Sequence, residues 1–147
     1  MLTAEQLAFL ESARTATLAT IAPDGSPRLV PVCFVVREGS LFIALDEKPK
    51  RSHDPRDLAR VRDVLERPAV ALLVHHWSED WSELGWLRLR GEASLVEPDG
   101  DPDAHAKVVA ELRAKYPQYV THRLEERPLI RIRVAGASSW GSLGVSG

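Results

Sequence analysis

The chain contains a single cysteine, Cys33, among 147 residues. That excludes an intrachain disulfide and any CxxC redox or zinc motif. Long apolar runs are missing too: none approaches the roughly 18 residues that a membrane helix requires. The longest apolar cluster, from about Leu29 to Val36, is interrupted by Pro31. The N-terminus lacks the basic start and apolar centre of a secretory peptide. Positive charge is not in excess, since 19 Lys and Arg face 21 Asp and Glu for a formal net charge of −2. This argues against a nucleic-acid partner, and any anion site must come from a local cluster. With no disulfide framework and no export signal, a reducing cytoplasm is the expected compartment, with no membrane partner.

Hydrolytic and nucleotide motifs are also missing. The chain has no GxSxG, no HExxH, no GxxxxGK[ST] and no GxGxxG. His75 and His76 are adjacent in a strand-like run, so alternation sends them to opposite faces and disfavours chelation of one metal. No metal site and no catalytic side chain is assigned. Cys33 reads as a small buried residue rather than a nucleophile.

The residues that are present, 44% of them hydrophobic, suit one folded domain. Thr3 and Gln6 form a capping box ahead of a short helix over residues 4–13. Residues 14–21 alternate as a strand, and Pro23-Asp24-Gly25-Ser26-Pro27 supplies a turn. A second strand is expected from Arg28 to Arg37 and a third from Leu41 to Leu45, the three forming a meander. Pro31 marks an edge or a bulge, because it cannot donate to a ladder.

After a polar connection over residues 46–53, Asp54 caps a helix that begins at Pro55 and stops before Pro68. Its apolar stripe is Leu58, Val61, Val64 and Leu65. Strands follow at 69–74 and 86–96, a helix at 104–116 and a strand at 129–134. Residues 1–135 then make one domain, and the Gly- and Ser-rich residues 136–147 a flexible tail, with Trp140 the exception. The expected fold is mainly β: a six-stranded antiparallel barrel with peripheral helices.

Two clusters carry chemical information. Residues 48–63 hold six basic side chains, Lys48, Lys50, Arg51, Arg56, Arg60 and Arg62, against Asp54, Asp57 and Asp63, a local charge of +3. They lie beside a capped helix start, whose free N–H groups add attraction for an anion such as phosphate. The alternative is a solvated basic loop with ion pairs to the three aspartates. The second cluster is Trp77, Trp81 and Trp86 around an acidic loop, with Trp140 further on. Such rings suit a planar ligand, a subunit interface or packing at a barrel mouth.

The chain resembles the split β-barrel flavin- and deazaflavin-dependent oxidoreductases, the pyridoxamine-phosphate-oxidase-like superfamily. The resemblance rests on Ala16-Thr-Leu-Ala-Thr20 with Asp24-Gly25-Ser26-Pro27-Arg28-Leu29-Val30-Pro31-Val32, on Asp46-Glu47-Lys48-Pro49-Lys50-Arg51, and on Arg67-Pro68-Ala69-Val70-Ala71-Leu72-Leu73-Val74. Glu79-Asp80-Trp81-Ser82 with Trp86 resembles a subgroup assigned to the deazaflavin coenzyme F420.

The resemblance implies an oxidoreductase that transfers hydride between coenzyme F420, or alternatively FMN, and a small conjugated substrate. It implies a homodimer with the cofactor at the subunit interface. Lys48, Lys50 and Arg51 would hold the cofactor phosphate, Val30, Pro31 and Val32 would lie against the ring, and Trp77 or Trp81 would close the partner's site. Arg56, with Arg60 and Arg62, would accompany the acidic tail of the deazaflavin. The C-terminal arginine-histidine pattern of true pyridoxamine-phosphate oxidases is missing, which argues against vitamin B6 oxidation. Other roles on the same barrel are a non-catalytic carrier or sensor of the cofactor, and a haem-binding relative using His53, His75 or His76.

Overall fold

In a computed structural model of the chain, residues 2–45 and 54–144 are described. The elements run α1 (Ala4–Ser12), β1 (Ala16–Ile21), β2 (Pro27–Val32), β3 (Phe34–Arg37), β4 (Ser40–Ile43), α2 (Ala59–Glu66), β5 (Ala69–His76), β6 (Gly85–Val96), α3 (Pro102–Lys115) and β7 (Leu129–Gly141). Seven strands form one antiparallel sheet in the order β2-β1-β5-β6-β7-β4-β3. The outermost strands, β2 and β3, are separated in sequence by Cys33 alone. One residue thus links the two edges, so the sheet must curl round on itself: a mainly β split barrel with peripheral helices.

That link accounts for the seventh strand. The apolar run from Arg28 to Arg37 reads as one strand, and the expected meander would pair it with both neighbours. Instead β2 pairs with β1, and β3 pairs with β4 on the far side of the sheet. Proline explains the break: Pro27 and Pro31 have no N–H to offer a second neighbour, which confines β2 to an edge. The β3–β4 hairpin turns through Glu38 and Gly39, both at positive φ, the geometry that a two-residue hairpin loop requires.

Two apolar clusters hold the barrel. The interior packs Leu10, Leu18, Phe34, Leu41, Ile43, Leu72, Leu87, Leu89, Ile130 and Ile132, closed by Val61 and Val64 of α2. A second cluster lies under α3, where Val108, Val109 and Leu112 meet Val35, Phe42, Tyr116, Tyr119 and Leu129. All four residues of β4 are buried, which is why it reads as a continuous apolar run rather than an alternating one.

Two boundaries and one burial differ from the sequence reading. The second helix has an initial 3-10 turn, Pro55–Asp57, capped by Asp54, before α2 proper starts at Ala59. Leu65, placed on its apolar stripe, is 58% exposed. The last strand continues to Gly141, with Trp140 opposite Trp86, so residues 136–141 extend the sheet rather than leaving it. A bulge between Arg90 and Gly91 shifts the register there. A Cβ on Gly91 would lie 2.3 Å from the Arg133 carbonyl oxygen, so only glycine lets the strands come that close.

Candidate functional site

Strand alternation puts every second residue of β2, β1, β5, β6 and β7 on the outside of the barrel. The register lines these residues up in rows. One row reads Pro31, Thr17, Leu73, Arg88, Ser138; the next reads Leu29, Ala19, Ala71, Arg90, Gly136. Beyond the first row lie His75, Trp86 and Trp140. The small side chains Thr17, Ala19 and Ala71, flanked by larger ones, leave a depression in this surface. The resulting groove has a volume of about 610 Å³, floored by Thr17, Ala19 and Ala71 and walled by Leu29, Leu73, Trp77, Trp86 and Trp140. Arg88 reaches its rim, the guanidinium 5.3 Å from the Trp86 ring.

A second hollow of about 200 Å³ lies at the split in the barrel. Thr15, Pro31, Val32, Cys33, Ala44, Arg60 and Tyr119 line it. Pro31 borders this cavity, while Thr17, its cross-strand partner, borders the groove. The two depressions therefore meet across one residue pair. Arg60 brings a guanidinium from α2 to the cavity, and Tyr119 brings a ring from the 3-10 segment after α3.

Beside the cavity, a polar cluster pins the seam. The Tyr116 hydroxyl accepts from the Phe34 amide at 3.1 Å and lies 2.8 Å from the Arg14 carbonyl oxygen. Lys115 Nζ donates to the Phe34 carbonyl at 2.9 Å and sits 4.0 Å from the centre of the Phe34 ring. Burial, with the Arg14 charge, pushes the Lys115 ammonium down to about 8, and Cys33 and Glu11 oppose the shift.

On the other side of α2, buried Asp63 accepts from Thr20 Oγ1 at 2.7 Å and from Arg28 Nε at 2.8 Å. Burial works to raise the Asp63 carboxyl, but the hydrogen bonds from Arg28 and Thr20 outweigh it, helped by the Arg28 and Arg67 charges. The carboxyl is held below its ordinary range. This clamp fixes the helix that presents Arg60.

The residues singled out in the sequence are distributed as follows. Pro31 and Val32 line the cavity, whereas Val30 packs on the barrel interior. Trp77 lines the groove; Trp81 stands outside it, 72% exposed on the β5–β6 loop. Arg56 is held by two carboxylates: its guanidinium forks onto Glu97, with Nε 3.1 Å from Oε1, and its Nη1 lies 3.3 Å from Asp54 Oδ1. Lys48, Lys50 and Arg51 lie outside the described residues. His75 and His76, expected on opposite faces, both border the groove, because they end β5 where the chain leaves the sheet. Cys33 is half-buried at the strand break and lines the cavity. Among the described residues, no group of three His, Cys, Asp or Glu side chains could hold a metal ion. No helix among them is long and apolar enough to cross a membrane.

Sequence reasoning missed Thr15, Ala44 and Tyr119, and also the groove floor. Tyr119 carried no periodic signal, and small floor residues attract notice only once the register aligns them.

Comparison with known proteins fits this architecture. The family model for pyridoxamine 5'-phosphate oxidase matches residues 2–141. The chain belongs to that family. Among solved structures, the conserved hypothetical protein Rv2991 from Mycobacterium tuberculosis is 25% identical, with a TM-score of 0.76, over 96% of this chain and 85% of that one. An F420 reductase is 21% identical with a TM-score of 0.64, covering 89% of this chain and 94% of its own. The haem storage protein HutZ from Vibrio cholerae is 17% identical with a TM-score of 0.67, covering 89% of each chain. No curated protein matches the sequence. The pyridoxamine 5'-phosphate oxidase family barrel is thus shared by an F420 reductase and a haem storage protein.

Proposed function

We propose that this member of the pyridoxamine 5'-phosphate oxidase family is an oxidoreductase that binds coenzyme F420, with FMN as the alternative, and passes hydride to a small conjugated substrate. The observation that carries the reading is the cavity at the split. It has an apolar wall of Pro31, Val32 and Ala44 and a guanidinium from Arg60, and in the sequence Lys48, Lys50 and Arg51 follow soon after Ala44. These residue types fit a planar ring with a phosphate arm: the wall takes the ring, and cations take the phosphate. The F420 reductase with the same barrel supports the choice of cofactor.

The bound cofactor supplies the hydride chemistry, and the protein supplies orientation and exclusion of water. Lys48, Lys50 and Arg51 hold the phosphate on this reading. Arg56, engaged by Glu97 and Asp54, accompanies the cofactor's acidic tail on this reading. The chain acts as a homodimer, and Trp81 on its exposed loop reaches the site of the second copy. No side chain is assigned as a proton donor, since solvent can protonate the product.

The test is titration of the cofactor-free protein with F420 and, separately, with FMN. Binding of one of them at micromolar concentration is expected. Lys50→Glu should weaken it by more than about tenfold by setting like charge against the phosphate. A protein that binds neither compound overturns the proposal, and an unchanged affinity in Lys50→Glu moves the phosphate elsewhere.

A further inference from the structure

Away from the cavity and the groove, α3 packs on the outer face of the other half of the barrel. The register aligns Val35, Phe42, Arg131 and Ser94 in one row across β3, β4, β7 and β6. Val108 and Val109 of α3 share a cluster with the first two. At the Arg131 end of the row a hollow of about 330 Å³ opens, bordered by the start of α3, the β6–α3 turn and the β3–β4 hairpin. Phe42, Val96, Ala104 and Val108 form its apolar side, and Arg37, Arg131, Glu38, Glu97 and Asp101 bring charge of both signs. It shares no described lining residue with the cavity at the split or with the groove.

Three of these charges are engaged by neighbours. Arg37 lies 2.6 Å from Glu111, Glu97 accepts from Arg56, and Asp101 caps α3 by accepting from the Ala104 amide at 3.3 Å. Two are not. Half-buried Arg131 donates from Nε to Ser40 Oγ at 3.2 Å and sits 6.0 Å from the centre of the Phe42 ring. Its two terminal nitrogens donate to no described residue, and it forms no ion pair among them. Glu38, exposed at the hairpin turn, also forms no ion pair among the described residues. The hollow therefore holds one open cation and one open anion beside an apolar wall.

We propose that this hollow binds a free α-amino acid with an apolar side chain, its carboxylate on the Arg131 guanidinium and its ammonium on Glu38. The two terminal nitrogens of a guanidinium match the two oxygens of a carboxylate. A simple anion would face Glu38, Glu97 and Asp101, and a simple cation would face Arg131 and Arg37. Like charges brought together select against both, so the lining favours a ligand that carries both signs. The side chain lies against Phe42 and Val108. A volume of about 330 Å³ is at the lower end for small-molecule sites and suits one amino acid rather than a nucleotide-sized cofactor.

The experiment is calorimetric titration of the full chain with three probes: L-phenylalanine, N-acetyl-L-phenylalanine, which lacks the ammonium, and L-phenylalaninamide, which lacks the carboxylate. L-phenylalanine should bind, and each blocked compound should bind at least about tenfold more weakly. Arg131→Gln should weaken L-phenylalanine by at least about tenfold. Glu38→Gln should weaken it by about fivefold and leave N-acetyl-L-phenylalanine unchanged or tighter, since that compound has no ammonium to lose. Arg131 also holds Ser40, so circular dichroism must confirm that its variant folds; Glu38 is exposed at a turn, and its variant carries the test if the first does not fold.

Failure of the wild type to bind L-phenylalanine overturns the proposal. So does equal binding of either blocked compound, which would mean that one of the two charges is not read. Wild-type affinity for L-phenylalanine in a folded Arg131→Gln or in Glu38→Gln would place any binding elsewhere and overturn it too. Cofactor titration of the same variants should match the wild type, so the redox reading stands or falls separately.

Discussion

Arg28 on β2 and Asp63 on α2 meet at 2.8 Å, Nε to Oδ2, with the carboxylate buried and the guanidinium partly open to solvent. Thr20 of β1 donates to the same carboxylate oxygen. Three elements are thus tied at one atom, and the tied helix is the one that carries Arg60 to the cavity.

Asp63→Asn should therefore destabilise the fold by about 2 kcal/mol at pH 7, since it removes a charged acceptor from two donors. The native carboxyl titrates below its unfolded value, so the clamp's contribution is fully present above about pH 4 and is lost as pH falls through the depressed native value. Urea midpoints for wild type and variant should differ at pH 7 and converge in acid. A constant difference down to the lowest pH measured would contradict the assignment.

Lys115 titrates below a surface lysine. Its native value of about 8 lies below the ordinary 10.5, so the unfolded chain holds the extra proton between them. Stability should rise with pH across that interval, relative to a Lys115→Met variant in which the rise is missing. Denaturant midpoints between pH 7 and 10.5 check this. Reductive methylation near pH 8 should also modify Lys115 ahead of exposed lysines with ordinary values.

Tyr116→Phe isolates the seam. Its hydroxyl serves the Phe34 amide and the Arg14 carbonyl, and the ring is buried. The substitution should cost about 1–3 kcal/mol, because the Phe34 N–H loses its acceptor with little space for water. Hydrogen exchange at Phe34 should accelerate more than at Leu87 in the sheet centre. Equal protection in both proteins would mean that the hydroxyl does not hold the seam.

Much of the barrel was legible in the chain because its determinants are local. The Thr3–Gln6 capping box forms as written, with both hydrogen bonds at 3.0 Å, and Asp54 caps the turn at Pro55. The alternation of Ile130 and Ile132 with Arg131 and Arg133 matches burial in β7. Pro31 on an edge strand follows from its missing donor.

Other features depend on partners far away in sequence. The split at Cys33 exists because the β3–β4 hairpin joins β7 through β4 while β2 stays on β1, and nothing between Arg28 and Arg37 encodes that docking. Residues 136–141 look like a tail by composition, yet a twelve-residue β6 provides a ladder for them. Of the candidate site, Pro31, Val32 and Trp77 were visible as a broken strand and an aromatic cluster. The groove was not, because Thr17, Ala19 and Ala71 matter only as neighbours in register.

The single-residue link at Cys33 also sets the order in which the molecule can be assembled. β4 borders β7, with Ser40 opposite Arg133, so the hairpin that begins just past the link has no sheet to join until the final strand has been made. A growing chain must carry β3 and β4 as an unattached ribbon while β5 and β6 pair. Such late, long-range docking slows folding and leaves strand edges open to neighbouring chains. Loss of β7 would therefore strand that ribbon permanently, and the expected result is aggregation rather than a smaller stable barrel.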